Sequence, residues 1–159
     1  MRITVIGVGK VKERYFTGAI EEYGKRLGRF CRLEIVEVAD EKTPEGASEA
    51  QKVQIREKEG ERILKKLPAG AYVVALAIDG KMFNSEELSE QMERWKVGGI
   101  SHAAFVIGGS LGLSEEVLSR ADFRLSFSRM TFPHQLMRVI LLEQIYRSFM
   151  IQSGAPYHK

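Results

Sequence analysis

The order of apolar and polar residues along the chain predicts strands alternating with helices. Arg2 to Gly7 alternates and reads as a first strand. From Glu13 to Phe30 the residues Phe16, Ile20, Tyr23, Leu27 and Phe30 recur at spacings of four, three, four and three, which is one face of a helix. Leu33 to Val38 is the second strand. Asp40 to Ser48 (DEKTPEGAS), with Pro44, Gly46 and several charges, predicts a mobile surface loop. A long charged helix follows, from about Glu49 to Leu67, and Pro68 to Gly70 punctuates the chain. Tyr72 to Ile78 (YVVALAI) is apolar without alternation, as a central strand buried on both faces would be, and Asp79-Gly80 is expected to end it. Ser85 with Glu86 and Glu87 marks a helix start, Leu88, Met92 and Trp95 its buried stripe, and Gly98-Gly99 its stop. Ala103 to Ile107 is another buried strand running into Gly108-Gly-Ser-Leu-Gly112, and Ser114 with Glu115 and Glu116 opens a short helix.

The stretch Phe123 to Ile151 organises the rest. Phe123 to Phe127 predicts a strand, Ser128 to Phe132 a loop, and Pro133 the first turn of the longest and most apolar helix. A strand entering a helix through a short loop leaves backbone N–H groups free at the positive end of the helix dipole, where cofactors and anions bind. Strands alternating with helices imply a mostly parallel α/β sheet, whose ligands sit outside the carboxyl ends of the strands. Three loops of the second half, Leu76 to Gly80, Gly108 to Gly112 and Phe127 to Phe132, would make one pocket if they converged. The glycine loop allows close backbone approach, but it is equally a plain strand-to-helix turn, and it is no Walker loop because no Gly-Lys-Ser/Thr follows.

Composition narrows the classes. At 159 residues and 44% hydrophobic, the chain predicts one domain with an ordinary core. No apolar run approaches the roughly 20 residues of a membrane span. The absence of a secretory signal and the single Cys31, which cannot form an internal disulfide, favour the cytoplasm. A net charge of +3 is compatible with RNA without being diagnostic of it. In the long charged helix Lys52, Arg56, Lys58, Arg62, Lys65 and Lys66 alternate with glutamates, which reads as a solvated face or as a surface for RNA. Gly7 and Gly9 form a G-x-G, but Lys12 breaks the dinucleotide fingerprint and they read as turn residues. His102, His134 and His158 lie far apart, so no metal is expected, and no G-x-S-x-G elbow marks a serine hydrolase. His134, in the first turn of the last helix, is expected to be neutral and hydrogen-bonded within that turn. Arg138, one turn on, either holds an anionic group or pairs with a carboxylate such as Glu143 or Asp122. After Gly154 come Ala155 to Lys159, either a frayed end or a substrate-facing tail with a stacking ring, a proton acceptor and a cation.

The segments SFSRMTFPHQLMRVILLEQIYR, GGSLG, RITVIGVGK and the terminal YHK resemble the RlmH family, bacterial SPOUT-superfamily methyltransferases that act on a pseudouridine of large-subunit (23S) ribosomal RNA. The resemblance spans essentially the whole chain. It implies a single α/β domain over 1–159 with helices on both faces of the sheet and a deep trefoil knot in the C-terminal half, approximately 72–159. It implies S-adenosylmethionine as cofactor, bent by the knot loops and bound by Leu76, Gly108, Phe127, Ser128, Arg129, Met130, Thr131 and Phe132. It implies a homodimer with the knot helices at the interface, which would explain why Leu136 to Met150 is apolar over more than one face. Tyr157 and His158 match the family's substrate-side tail; Lys159 stands where the family often has arginine, which keeps the charge but loses bidentate geometry. The implied reaction moves a methyl group to N3 of pseudouridine, with no metal and no membrane involved. His158 is the expected base, with Tyr157 or Arg138 positioning the substrate, unless all three orient it and water is the base. Small size and modest charge imply docking on an assembled ribosome. The rivals are a nucleotide- or flavin-sensing α/β module without transferase activity, and a SPOUT methyltransferase acting on tRNA.

Overall fold

The computed structural model describes all 159 residues. Five strands, β1 (Arg2–Val8), β2 (Arg32–Val38), β3 (Tyr72–Met82), β4 (His102–Ile107) and β5 (Phe123–Ser126), form one sheet in the order β2-β1-β4-β3-β5. Every pairing within it is parallel. The helices are α1 (Arg14–Leu27), α2 (Glu49–Lys66), α3 (Ser85–Val97), α4 (Glu115–Arg120) and α5 (His134–Ser153).

Local chemistry sets the helix ends. Ser48 and Gln51 form a reciprocal capping box at the start of α2, and Asn84 with Glu87 forms another at α3. The α3 cap is therefore Asn84, one residue before the serine that the sequence suggests: its Oδ1 accepts the Glu87 N–H at 2.8 Å, while the Ser85 hydroxyl donates to Gln144. Ser114 caps α4 through the Val117 N–H. The last helix ends on Gly154, whose φ of 72° is a left-handed stop that glycine adopts freely. Helix α1 stops at Leu27, short of the expected Phe30, where the Gly28 N–H bonds the carbonyls of Gly24 and Lys25.

One strand differs from its expected extent. Asp79-Gly80 does not end β3, which continues to Met82 through a register shift against β5 between Leu76 and Lys81. Gly80 permits the detour: a Cβ there would lie 2.7 Å from the backbone carbon of Arg124. The extra residues push the backbone outward at the carboxyl edge.

Two apolar layers cover the sheet. On one face Leu27 of α1, Leu88, Met92 and Trp95 of α3, and Leu141, Leu142, Ile145 and Phe149 of α5 pack with Ile3, Val5, Val74 and Phe105. On the other, Ile63 of α2 and Val117 of α4 meet Ile6, Val8, Val73 and Val106. Full burial of such side chains contributes about 1.5–3 kcal/mol each. No helix is long and apolar enough to cross a membrane.

Two features position the site. First, β5 is an edge strand, yet α5 packs between α1 and α3 and touches β1 and β4. The segment from Phe127 to Pro133 therefore crosses the carboxyl edge of the sheet. Second, the inner layer leaves apolar surface uncovered: α1 buries only Leu27 of its 14 residues, with Phe16, Ile20 and Tyr23 half-buried. On α5, Leu136, Val139 and Ile140 are likewise half-buried on the side away from the sheet.

Candidate active site at the carboxyl edge of the sheet

A cavity of about 270 Å³ opens where the ends of β3, β4 and β5 meet the first turn of α5. This is just below the size range of small-molecule sites, about 300–1,000 Å³. Leu76, Ala77 and Ile78 form one wall, Gly108 to Gly112 the second, and Leu125 to Ser128 with Met130 to Phe132 the third. His134 and Met137 close it from α5. The three strand-end loops therefore do converge.

The glycine loop is built for close approach. Gly109 and Gly112 form an isolated antiparallel bridge, and the Gly112 N–H donates to the Gly109 carbonyl at 3.1 Å. A Cβ on Gly108 would lie 2.7 Å from the carbonyl carbon of Gly112, and Gly112 itself has φ +83°. Behind this loop lies Glu59, a buried carboxylate of α2 that sequence reasoning missed. One of its oxygens accepts the Glu41 N–H at 2.9 Å and the other has no partner within the protein; burial pushes its pKa up. Two internal bonds hold the third wall: Ser126 Oγ donates to the Ser128 carbonyl, and the Met130 N–H donates to Ser128 Oγ, both at 3.0 Å. Of the eight residues expected to hold a cofactor, Leu76, Gly108, Phe127, Ser128, Met130, Thr131 and Phe132 line the cavity. Arg129 does not; it is exposed on the outer side of the loop.

His134 departs from its expected state. Its Nδ1 is buried without a hydrogen-bond partner, so the ring is not tied into the turn. Burial and the neighbouring Arg138 push its pKa down, keeping the imidazole neutral. The ring packs on Gly9, where a Cβ would lie 3.3 Å from Cε1.

Arg138 is the largest fully buried side chain and does not line the cavity. Neither carboxylate suggested by sequence is its partner: Asp122 bonds Arg120 and the Val73 N–H, and Glu143 bonds Arg147. Arg138 instead pairs with Glu37 of β2 at 2.7 Å and donates to the carbonyls of Val8 and Gly9 at 2.8 and 2.6 Å. Gly7 makes room for it, since a Cβ there would meet Nε at 2.5 Å. The G-x-G of β1 is thus neither a nucleotide fingerprint nor simply a turn: Gly7 admits Arg138, and Gly9 admits His134.

The tail is ordered against α5 rather than frayed. The Tyr157 hydroxyl donates to Glu143 at 3.2 Å, its ring meets Tyr146 edge-on, and the Arg147 guanidinium lies over it. Burial, with the Glu143 charge, pushes the Tyr157 pKa up to about 12. His158 lies 3.0 Å from Arg147 through Nδ1 and 3.2 Å from Glu86 through Nε2. Arginine only donates, so Nδ1 accepts and the ring proton sits on Nε2. Neither tail residue lines the cavity of its own chain. No cluster of three or more His, Cys, Asp or Glu side chains is placed to hold a metal ion.

Comparison with known proteins agrees with this geometry. The chain is 62% identical over its full length, and that of the relative, to ribosomal RNA large subunit methyltransferase H of Bifidobacterium animalis subsp. lactis. It is 58% identical over the same full extent to the protein of that name from Clostridium kluyveri, and 57% to that of Leuconostoc mesenteroides. Its fold resembles that of a probable methylase family protein from Haemophilus influenzae Rd KW20, with TM-score 0.52 and 15% identity, covering 99% of this chain and 70% of that one. It also resembles a Legionella pneumophila protein solved with the cofactor SAM, with TM-score 0.50 and 11% identity, covering 94% and 66%. The family model described as predicted SPOUT methyltransferase matches residues 1–158, and the chain belongs to that family.

Proposed function

We propose that this chain transfers the methyl group of S-adenosylmethionine to N3 of a pseudouridine in 23S rRNA, working as a cytoplasmic homodimer on the assembled ribosomal surface. The observation that carries the reading is the closure of three strand-end loops around one cavity, in a chain that matches rRNA large subunit methyltransferases from end to end. The bound SAM of the Legionella neighbour supports the cofactor.

The residues present fit such a cofactor. Leu76, Phe127 and Phe132 offer apolar contact, the Cβ-free Gly108 lets backbone approach, and Ser128 to Thr131 supply backbone polar groups. When bound, the sulfonium supplies an electrophilic methyl group. What remains for the chain is alignment of the attacking nitrogen and removal of its proton. The crossing of Phe127 to Pro133 over the carboxyl edge, from an edge strand to a central helix, supports a knotted C-terminal half within a single domain.

The dimer reading rests on the half-buried apolar residues of α1 and α5. It also reconciles the tail with the cavity. The cavity lies at the first turn of α5, whereas Tyr157 and His158 pack on Glu143 and Arg147. Those two positions are about 15–20 Å apart along a helix of 1.5 Å rise. Two-fold antiparallel packing of α5 on its copy would bring the tail of one chain toward the cavity of the other. There His158, freed at Nδ1 from Arg147, would take the N3 proton while Tyr157 stacks or orients the base. Arg138, enclosed by Glu37, Val8 and Gly9, is a positioning residue in this scheme.

The test is methyl transfer from labelled S-adenosylmethionine to ribosomes, isolated large subunits, naked rRNA and tRNA from cells lacking this gene, with the label mapped by mass spectrometry. Label on pseudouridine N3, in the assembled particle only, is the expected result. Label on tRNA alone, or on no RNA while the cofactor binds, overturns the reading.

A further inference from the structure

We propose that the loop between β1 and α1, carrying Lys10, Lys12 and Arg14, grips the phosphate backbone of the substrate RNA beside the cavity. The inference rests on the RNA-methylating reading above and names the surface that would hold the substrate.

The distribution of free cations points there. On α2, Lys52 pairs with Glu49, Lys58 and Arg62 share Glu41, and Arg56 is tied to the Leu111 carbonyl, while the unpaired Lys65 and Lys66 stand at the end of the helix far from the cavity. Lys10, Lys12 and Arg14 are all exposed, and none has a carboxylate partner. Glu13 is the single acid among them. Helix stability does not explain their presence. They stand at the start of α1, where the dipole disfavours cations, and its first turn has neither an acid nor a side-chain cap.

The loop is also fixed beside the cavity. Its Val11 N–H donates to Glu37 Oε2 at 2.9 Å, the same oxygen that holds Arg138. Arg138 bonds the carbonyls of Val8 and Gly9, and Gly9 packs on His134, which lines the cavity. The Glu37 charge is thereby paired with Arg138, and Lys10, Lys12 and Arg14 face solvent. Arg129 adds an exposed, unpaired cation on the β5 side of the opening. Exposed cations carried on either side of a base-sized cavity suit an RNA strand whose target base enters while its phosphates stay outside.

Each phosphate contact contributes about 0.7–0.9 to the slope of log affinity against log salt. The variant K10Q/K12Q/R14Q, loaded with S-adenosylhomocysteine, is titrated with large subunits and with naked 23S rRNA from about 50 to 200 mM KCl, alongside wild type. The expected result is a slope shallower by about 2, a KM for subunits raised about tenfold or more near physiological salt, and S-adenosylhomocysteine affinity within about twofold of wild type. The control R32Q/K65Q/K66Q removes three exposed cations from the opposite, amino edge of the sheet and should keep the wild-type slope. An unchanged slope and KM in the first variant, or an equal loss in the control, overturns the inference. Slope loss in binding without methyl transfer by wild type would sustain the grip and sink the proposed reaction.

Discussion

Arg138 Nη1 donates to Glu37 Oε2 at 2.7 Å, joining the helix that closes the cavity to the end of a strand two positions away in the sheet. The guanidinium is buried against the two backbone carbonyls, while Glu37 keeps contact with solvent, so Arg138 depends on all three acceptors to offset its lost hydration. Arg138→Met should lower unfolding stability by about 1–3 kcal/mol in urea titration, because it leaves the Val8 and Gly9 carbonyls without their donor, while Glu37 can still reach water. Glu37→Gln keeps an accepting oxygen but leaves the buried guanidinium without its counter-charge, and should cost at least as much as Arg138→Met. A loss below about 1 kcal/mol for Arg138→Met would show that the cluster is not a structural tie.

Gly108→Ala tests the cradle. The new methyl would meet backbone of Gly112, which has no side chain to swing away. The glycine loop must open, at a cost of about 1–3 kcal/mol. S-adenosylhomocysteine binding measured by calorimetry should weaken at least about tenfold, more than a melt at the same temperature accounts for. Wild-type affinity in this variant would remove Gly108 from the cofactor wall.

His134 predicts a pH dependence. Its folded pKa lies below the ordinary 6.5, so the unfolded chain binds the extra proton more readily. Its contribution is fully present above 6.5 and is lost as pH falls through that value toward the depressed folded one. Glu59 acts oppositely: its raised folded pKa makes acidification toward 4.5 stabilising. The midpoint of thermal unfolding should thus fall less between pH 7.5 and 5.5 (about two units) in His134→Gln than in wild type, and, as the pH is carried on down to 4.5, more in Glu59→Gln. Identical profiles in all three proteins would contradict both assignments.

The dimer and the tail are tested together. Val139→Glu places a charge on the outward stripe of α5 and should give monomers by analytical ultracentrifugation, with methyl transfer lost. His158→Ala should keep cofactor binding and lose about 10²–10⁴ in turnover if the ring is the base. If tail and cavity come from different chains, mixing the His158→Ala and Gly108→Ala proteins, at a cofactor concentration too low to load the Gly108→Ala cavity, should restore transfer through heterodimers. Mixtures as inactive as their components would place both groups in one chain.

The sequence by itself determined the alternation of strands and helices, the parallel sheet and the three loops. Each follows from local periodicity, caps or glycine: YVVALAI has no polar face, so it is central; Ser114-Glu-Glu caps its own helix; Gly108 to Gly112 turns wherever it lies. Long-range identity of partners was decided by tertiary structure alone. Arg138 could have met Glu143 one turn and a half along its own helix, but that position points to the opposite face, and the inward direction leads to Glu37, 101 residues earlier in the chain. Likewise Gly7 and Gly9 look like turn residues until α5 folds back and sets Arg138 and His134 in the space they leave. The extension of β3 past Asp79-Gly80 needed β5 to pair with, and the tail's docking needed Glu143, Tyr146 and Arg147 on one side of a formed helix. Local pattern fixes which faces are apolar; only the packed chain fixes which charges meet, because a guanidinium taken out of water must find acceptors wherever the fold puts them.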